Sequence, residues 1–147
     1  MTSSELIQIA AGFIGSLCFG ILFNMRGKRL IAAAVGGLLS WGLFVVLSHF
    51  ISNEPINYFI VAAIISLYSE IMARILKTPA APVVTTSLIP LIPGGSLYYT
   101  MASAFESNFT TFLEKAVSTL QLACALALGI IAVTAISQFL FSRIKQK

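Results

Sequence analysis

The chain has 147 residues, of which 58% are apolar and 10% charged, and its mean hydropathy is +0.95. A soluble domain carries about 25% charged residues, so this composition excludes one and predicts a single all-α integral membrane bundle over residues 1–147. Nine basic against five acidic residues give a net charge of +4, but the basic residues stand at the ends of apolar segments, which excludes a nucleic-acid surface.

A membrane span needs about 20 apolar residues. Residues 6–23 supply the first. Glu5 stands where a basic leader region would be, so the segment reads as a span rather than a cleaved signal peptide. Gly12, Ser16 and Gly20 recur every fourth residue, a small-residue stripe that lets helices approach closely. Residues 30–50 form the second span, with a similar stripe at Ala32, Gly36 and Ser40. Trp41 is expected to be buried mid-span, and His49 anchors the outer end. Internal packing is the expected use of both stripes, and a seam between copies is the alternative. Residues 56–76 form the third span, capped by Asn53 or Ser52 with Pro55 in its first turn. Residues 110–141 form the last span, long enough to tilt or protrude. Cys18 and Cys124 lie in apolar runs and are expected to be buried thiols. Their isolation gives no metal spacing and no disulfide framework.

Between the third and last spans, residues 79–105 carry no charge and four prolines: Pro79, Pro82, Pro90 and Pro93. Proline removes a backbone donor and collides with the carbonyl four residues earlier. Pro90 and Pro93 therefore free the carbonyls of Thr86 and Ile89. In hydrocarbon such a break is tolerated only within protein or along a wet cavity, and transporters place substrate at such breaks. Gly94 and Gly95 offer backbone freedom. A helix restarting near Ser96 would present amide groups and a positive dipole end to a carboxylate. Thr85, Thr86 and Ser87 add hydroxyls, and Tyr98 lines the route past the break. A simple proline kink, with hydroxyls bonded back to the helix, is the competing reading.

Orientation follows the basic residues. If the chain crosses five times, eight of the nine basic residues fall on one side: Arg26, Lys28, Arg29, Arg74, Lys77, Arg143, Lys145 and Lys147. Lys115 falls on the other, with Glu5, Glu54, Glu106 and Glu114. This predicts the N-terminus outside and the C-terminus inside. Glu70 lies about 22 Å along the third span, in a core of about 30 Å. Arg74, four residues on, shares its face. Ionisable groups within spans serve transport and proton relay. A structural ion pair near the interface, with Arg74 reaching toward water, is the alternative.

The run ARILKTPAAPVVTTSLIPLIPGGSLYYTM, residues 73–101, resembles the threonine/serine exporter family, in particular its small, C-terminal-type subunit. The matching residues are Pro79, Ala80, Ile89, Pro90, Ile92, Pro93, Gly94, Gly95 and Tyr98. The stretch from Met25 to Leu39 is similar too. The resemblance implies export of small polar metabolites across a bacterial cytoplasmic membrane: threonine and serine, or dicarboxylates such as succinate in split two-subunit relatives. It also implies a larger membrane subunit of the same family as partner. A homo-oligomer through the small-residue stripes is a further expectation, and no cofactor is expected.

Two other classes compete with a secondary exporter. An intramembrane enzyme lacks motifs here: there is no G-x-S-x-G and no H-E-x-x-H, and His49 stands far from Ser96. A structural or assembly subunit of a larger transporter, without its own substrate site, is the second reading. With no nucleotide-binding loop in the chain, export is expected to draw on the substrate gradient or on protons.

Overall fold

The computed structural model describes residues 3–105 and 109–144. Among these there are six α-helices, one 3-10 turn and no strand: α1 Ser3–Leu22, α2 Lys28–Ser48, α3 Glu54–Ile75, α4 Ala80–Leu88, the turn Ile89–Leu91, α5 Gly94–Phe105 and α6 Phe109–Ile144. Glu106, Lys145 and Lys147, used above for orientation, lie outside the described residues. α1, α2, α3 and α6 are each long and apolar enough to cross a membrane. A fifth span results if α4 and α5, bent by 60° at the break, are one crossing.

Local signals set the helix ends. Asn53 caps α3, its side-chain oxygen accepting from the Ile56 amide at 3.3 Å, with Pro55 in the first turn. α1 and α3 end alike. Asn24 and Lys77 take the left-handed conformation, at φ 55° and 49°. The amides of Met25 and Thr78 then reach back to the carbonyls of Gly20 and Ala73, both at 2.9 Å. These turns close the last carbonyls of each helix and throw the chain across, so α2 and α4 begin at the same end of the bundle. Gly27, at φ 58°, makes the remaining turn into α2.

α2 is the central helix. It packs on α1, α3 and α4, while α6 packs on α3 and α5 on α6. The stripes close these seams. A Cβ on Gly12 would meet the Gly37 carbonyl oxygen and Trp41 Cβ at 3.3 Å, and one on Gly37 would collide with Ser16. A Cβ on Gly36 would collide with Ser87 of α4. Internal packing is thus what the stripes do. The core joins Tyr58, Val61 and Ile65 of α3 to Val84 and Leu88 of α4, Leu91 of the turn and Leu122 of α6.

Two expectations fail. Cys18 and Cys124 are exposed. Trp41 is half-buried rather than enclosed, and its indole N–H donates to Gln8 Oε1 at 3.3 Å. The reason is common to both: an exterior facing lipid is as apolar as the interior, so an apolar run does not report which face is buried.

Candidate functional site

α4 presents two faces to two different surroundings. Consecutive residues on a helix point about 100° apart, so Thr85 and Thr86 cannot share a wall. Thr86 and Ser87 are fully buried against α1 and α2. The Thr86 hydroxyl donates to Met25 Sδ at 3.7 Å, and Ser87 Oγ to the Ala33 carbonyl at 3.4 Å. Pro90 continues this face, lying over Gly12. These residues hold α4 in its seat on the central helix.

Thr85 turns the other way, into a cavity of about 520 Å³ between α3, α4 and α6. Glu70, Thr85 and Thr134 supply its polar groups, and Val84, Leu88, Leu126 and Ile130 line its apolar wall. Ile92, at the break, closes one side, and Pro79 bounds the other. The structure therefore brings Glu70 and Thr85 together, and brings neither to Thr86 or Ser87.

Glu70 is held by a small polar cluster. Arg74 Nη2 donates to Glu70 Oε2 at 3.2 Å and to Ser137 Oγ at 2.8 Å. Ser137 Oγ donates in turn to Glu70 Oε2 at 3.1 Å. The Glu70 side chain is only 13% exposed and that of Arg74 40%, so one partner looks into the bundle and the other toward its rim. An unpaired charge at this depth costs several kcal/mol; the i,i+4 pair and the serine offset that cost. Chemically, Glu70 can accept hydrogen bonds from an ammonium group or carry a proton, while Thr85 and Thr134 can bond a small polar solute.

The break has a different construction from the one its sequence predicts. α5 restarts at Gly94, with the Leu97 amide reaching the Pro93 carbonyl at 3.0 Å. The Ile89 carbonyl is not free, since it accepts from the Ile92 amide at 3.2 Å. A 3-10 turn closes i to i+3 and so captures a carbonyl that proline denies to the α pattern. Neither Gly94 nor Gly95 has a positive φ, and a Cβ on either would meet nothing within 4 Å. The glycines therefore mark an open helix start, not a close approach. Ser96 faces a separate cavity of about 410 Å³ between α5 and α6, with Tyr99, Glu114 and Lys115. Tyr98 points outward, 68% exposed, with its ring edge-on to Tyr99.

Ser137 and Thr134 were missed in the sequence. Their signal is spacing: with Ile130 and Leu126 they lie three to four residues apart, one helical face that turns polar at one end. Among the described residues no cluster of His, Cys, Asp or Glu has the makings of a metal site.

Neither a curated protein nor a solved structure matches the chain. Residues 8–136, most of the chain, match the family model described as Threonine/Serine exporter, ThrE.

Proposed function

The chain belongs to the threonine/serine exporter family, and from that premise we propose that it is the small subunit of a secondary-active exporter of small polar metabolites. Exporter-type transport by a multi-pass membrane protein follows from the family and the apolar helices. The observation that carries the finer reading is the cavity beside the α4–α5 break, which Glu70 of α3 and Thr85 of α4 both line. A carboxylate there suits the ammonium of threonine or serine better than the second carboxylate of succinate. The site residues proposed are Glu70, Thr85 and Thr134, with Arg74 and Ser137 holding Glu70. Proton coupling through Glu70 is part of the proposal.

The proposed setting is a bacterial cytoplasmic membrane, on the family resemblance, with the N-terminus outside and the C-terminus inside, on the charge rule. An impermeant thiol reagent applied from outside a Cys-free variant should label a cysteine at Ser52 and spare one at Asn24. The reverse pattern inverts the topology. The larger partner subunit is carried by the resemblance to split family members. The competing role, an assembly subunit with no site of its own, predicts an inert cavity.

One efflux experiment separates these roles. Cells loaded with threonine, serine or succinate are compared when expressing this chain, a large family subunit, or both. Export is expected only from the pair, and full-rate export by this chain alone in liposomes would remove the partner from the proposal. In the pair, Glu70→Gln keeps the side chain's shape and loses its charge. Losing a charged hydrogen bond costs about 1.5–3 kcal/mol, so export should fall roughly tenfold or more at normal membrane abundance, with an altered pH profile. Unchanged rate and pH profile would assign Glu70 to packing and favour the assembly role.

A further inference from the structure

A further cavity, about 730 Å³, lies elsewhere, at the end of the bundle where α2 and α4 begin. Its walls come from residues 23–26 and Arg29 on one side and from Thr78, Pro79 and Pro82 on the other. Two guanidinium groups, Arg26 and Arg29, line it. Among the described residues neither is paired with a carboxylate, and no acidic residue lines the cavity.

Backbone adds to this field. α2 and α4 run parallel, and both start at this cavity. Neither has a side-chain cap: Gly27 has no side chain to offer, and Pro79 has no polar one. The first-turn amides of α2, and those of Ala80 and Ala81 in α4, are therefore left without side-chain acceptors; Pro82, the third residue of α4, has no amide to offer. Each helix start carries about half a positive charge, and here two such starts add to two arginines. The left-handed turns at Asn24 and Lys77 are what bring both starts to one place. Met25 closes the floor, its sulfur on the buried Thr86 hydroxyl.

We infer that this cavity is a binding site for a small oxyanion, a carboxylate or phosphate group, clasped by Arg26 and Arg29 over the paired starts of α2 and α4. An arginine fork matches a planar or tetrahedral oxyanion with two parallel N–H bonds, and the positive ends of the two helix dipoles favour an anion between them. The oxyanion has two possible sources: a free metabolite or inorganic phosphate from solution, or the headgroup of an anionic phospholipid. Pro79 borders both this cavity and the one holding Glu70, so a solute bound here stands one helix start away from the candidate pathway.

The test reads binding, so it is independent of export. The full chain is reconstituted in nanodiscs of purely zwitterionic lipid and titrated calorimetrically with succinate and with inorganic phosphate. Detergent-purified protein is examined in parallel by native mass spectrometry for retained phosphatidylglycerol. The variants are Arg26→Gln with Arg29→Gln, and Lys28→Gln with Lys77→Gln, which removes the same charge at the same end without touching the cavity lining. A tenfold or greater loss of free-anion affinity in the arginine variant alone supports the site and names a solute as source. Loss of retained lipid in the arginine variant alone supports it and names the headgroup. Binding that is equal in parent and arginine variant overturns the site. So does an equal loss in both variants, which would reduce it to general surface charge, and so does an absence of both anion and lipid binding in the parent.

Discussion

Replacing Pro90 and Pro93 by alanine should leave a well-expressed chain whose complex exports nothing. A proline inside a regular helix costs about 3 kcal/mol, and two of them within one turn hold the segment as a 3-10 turn followed by a 60° bend. Alanine at both positions restores two amide donors and lets residues 80–105 straighten into one helix. The fold should survive this change. Alanine keeps the Cβ by which Pro90 packs over Gly12, and a regular helix satisfies its own backbone in lipid. What is lost is Ile92 at the edge of the Glu70 cavity and the turn that ends α4 there. Gly95→Ala is the matched control: the added methyl meets nothing within 4 Å, so export should continue. The proline variant is measured by efflux at matched membrane abundance. Export at the parent rate would show that the bend serves folding alone.

The second large effect is on stability. Gly129 sits where α6 crosses α3. A Cβ there would lie 2.7 Å from the Phe59 carbonyl oxygen, 2.9 Å from Ala62 Cβ and 3.1 Å from the Ala63 amide nitrogen. Two of these are backbone atoms of α3, which cannot swing aside. Overpacking typically costs about 1–3 kcal/mol and occasionally more, and Gly129→Leu should reach or pass the upper end. α5 packs chiefly on α6, so prising α6 from α3 should also draw α5 away, and it separates Ser137 from Glu70 and Arg74. The expected result is a sharply lower thermal midpoint and reduced membrane abundance. Gly15→Leu serves as reference, because a Cβ on Gly15 meets nothing within 4 Å. Equal midpoints for the two variants would refute this account of the α3–α6 seam.

Much of the architecture was legible because lipid imposes simple rules. Hydropathy located the long apolar helices, Asn53 and Pro55 marked a helix start, the 70/74 spacing paired Glu70 with Arg74, and the stripes at Gly12 and Gly36 marked faces that pack closely. The illegible parts share one character: they depend on partners distant in sequence or on direction within an apolar segment. Nothing near Arg74 announces Ser137, 63 residues away. A lone Gly129 makes no stripe. Thr85, Thr86 and Ser87 are equally polar neighbours, and only the position of α2 decides which of them faces a cavity. Arg26 and Arg29 read as topology markers, because the charge rule has no term for a cavity formed by two returning turns.

The shortness of α4 has a consequence for how the protein is made. Nine residues reach about 14 Å, against about 30 Å of hydrocarbon. Neither α4 nor the twelve-residue α5 can hold itself across a bilayer as the long helices do. A translocon that weighs windows of about 19 residues would score a segment that is bent in the finished molecule. Stable placement of α4 therefore waits until its seat exists, and that seat, at Ala33 and Gly36, is synthesised some fifty residues earlier, 54 positions from Ser87 to Ala33. This dependence predicts an order of biogenesis: the α1–α2 hairpin first, as a template, and then docking of the broken segment on it.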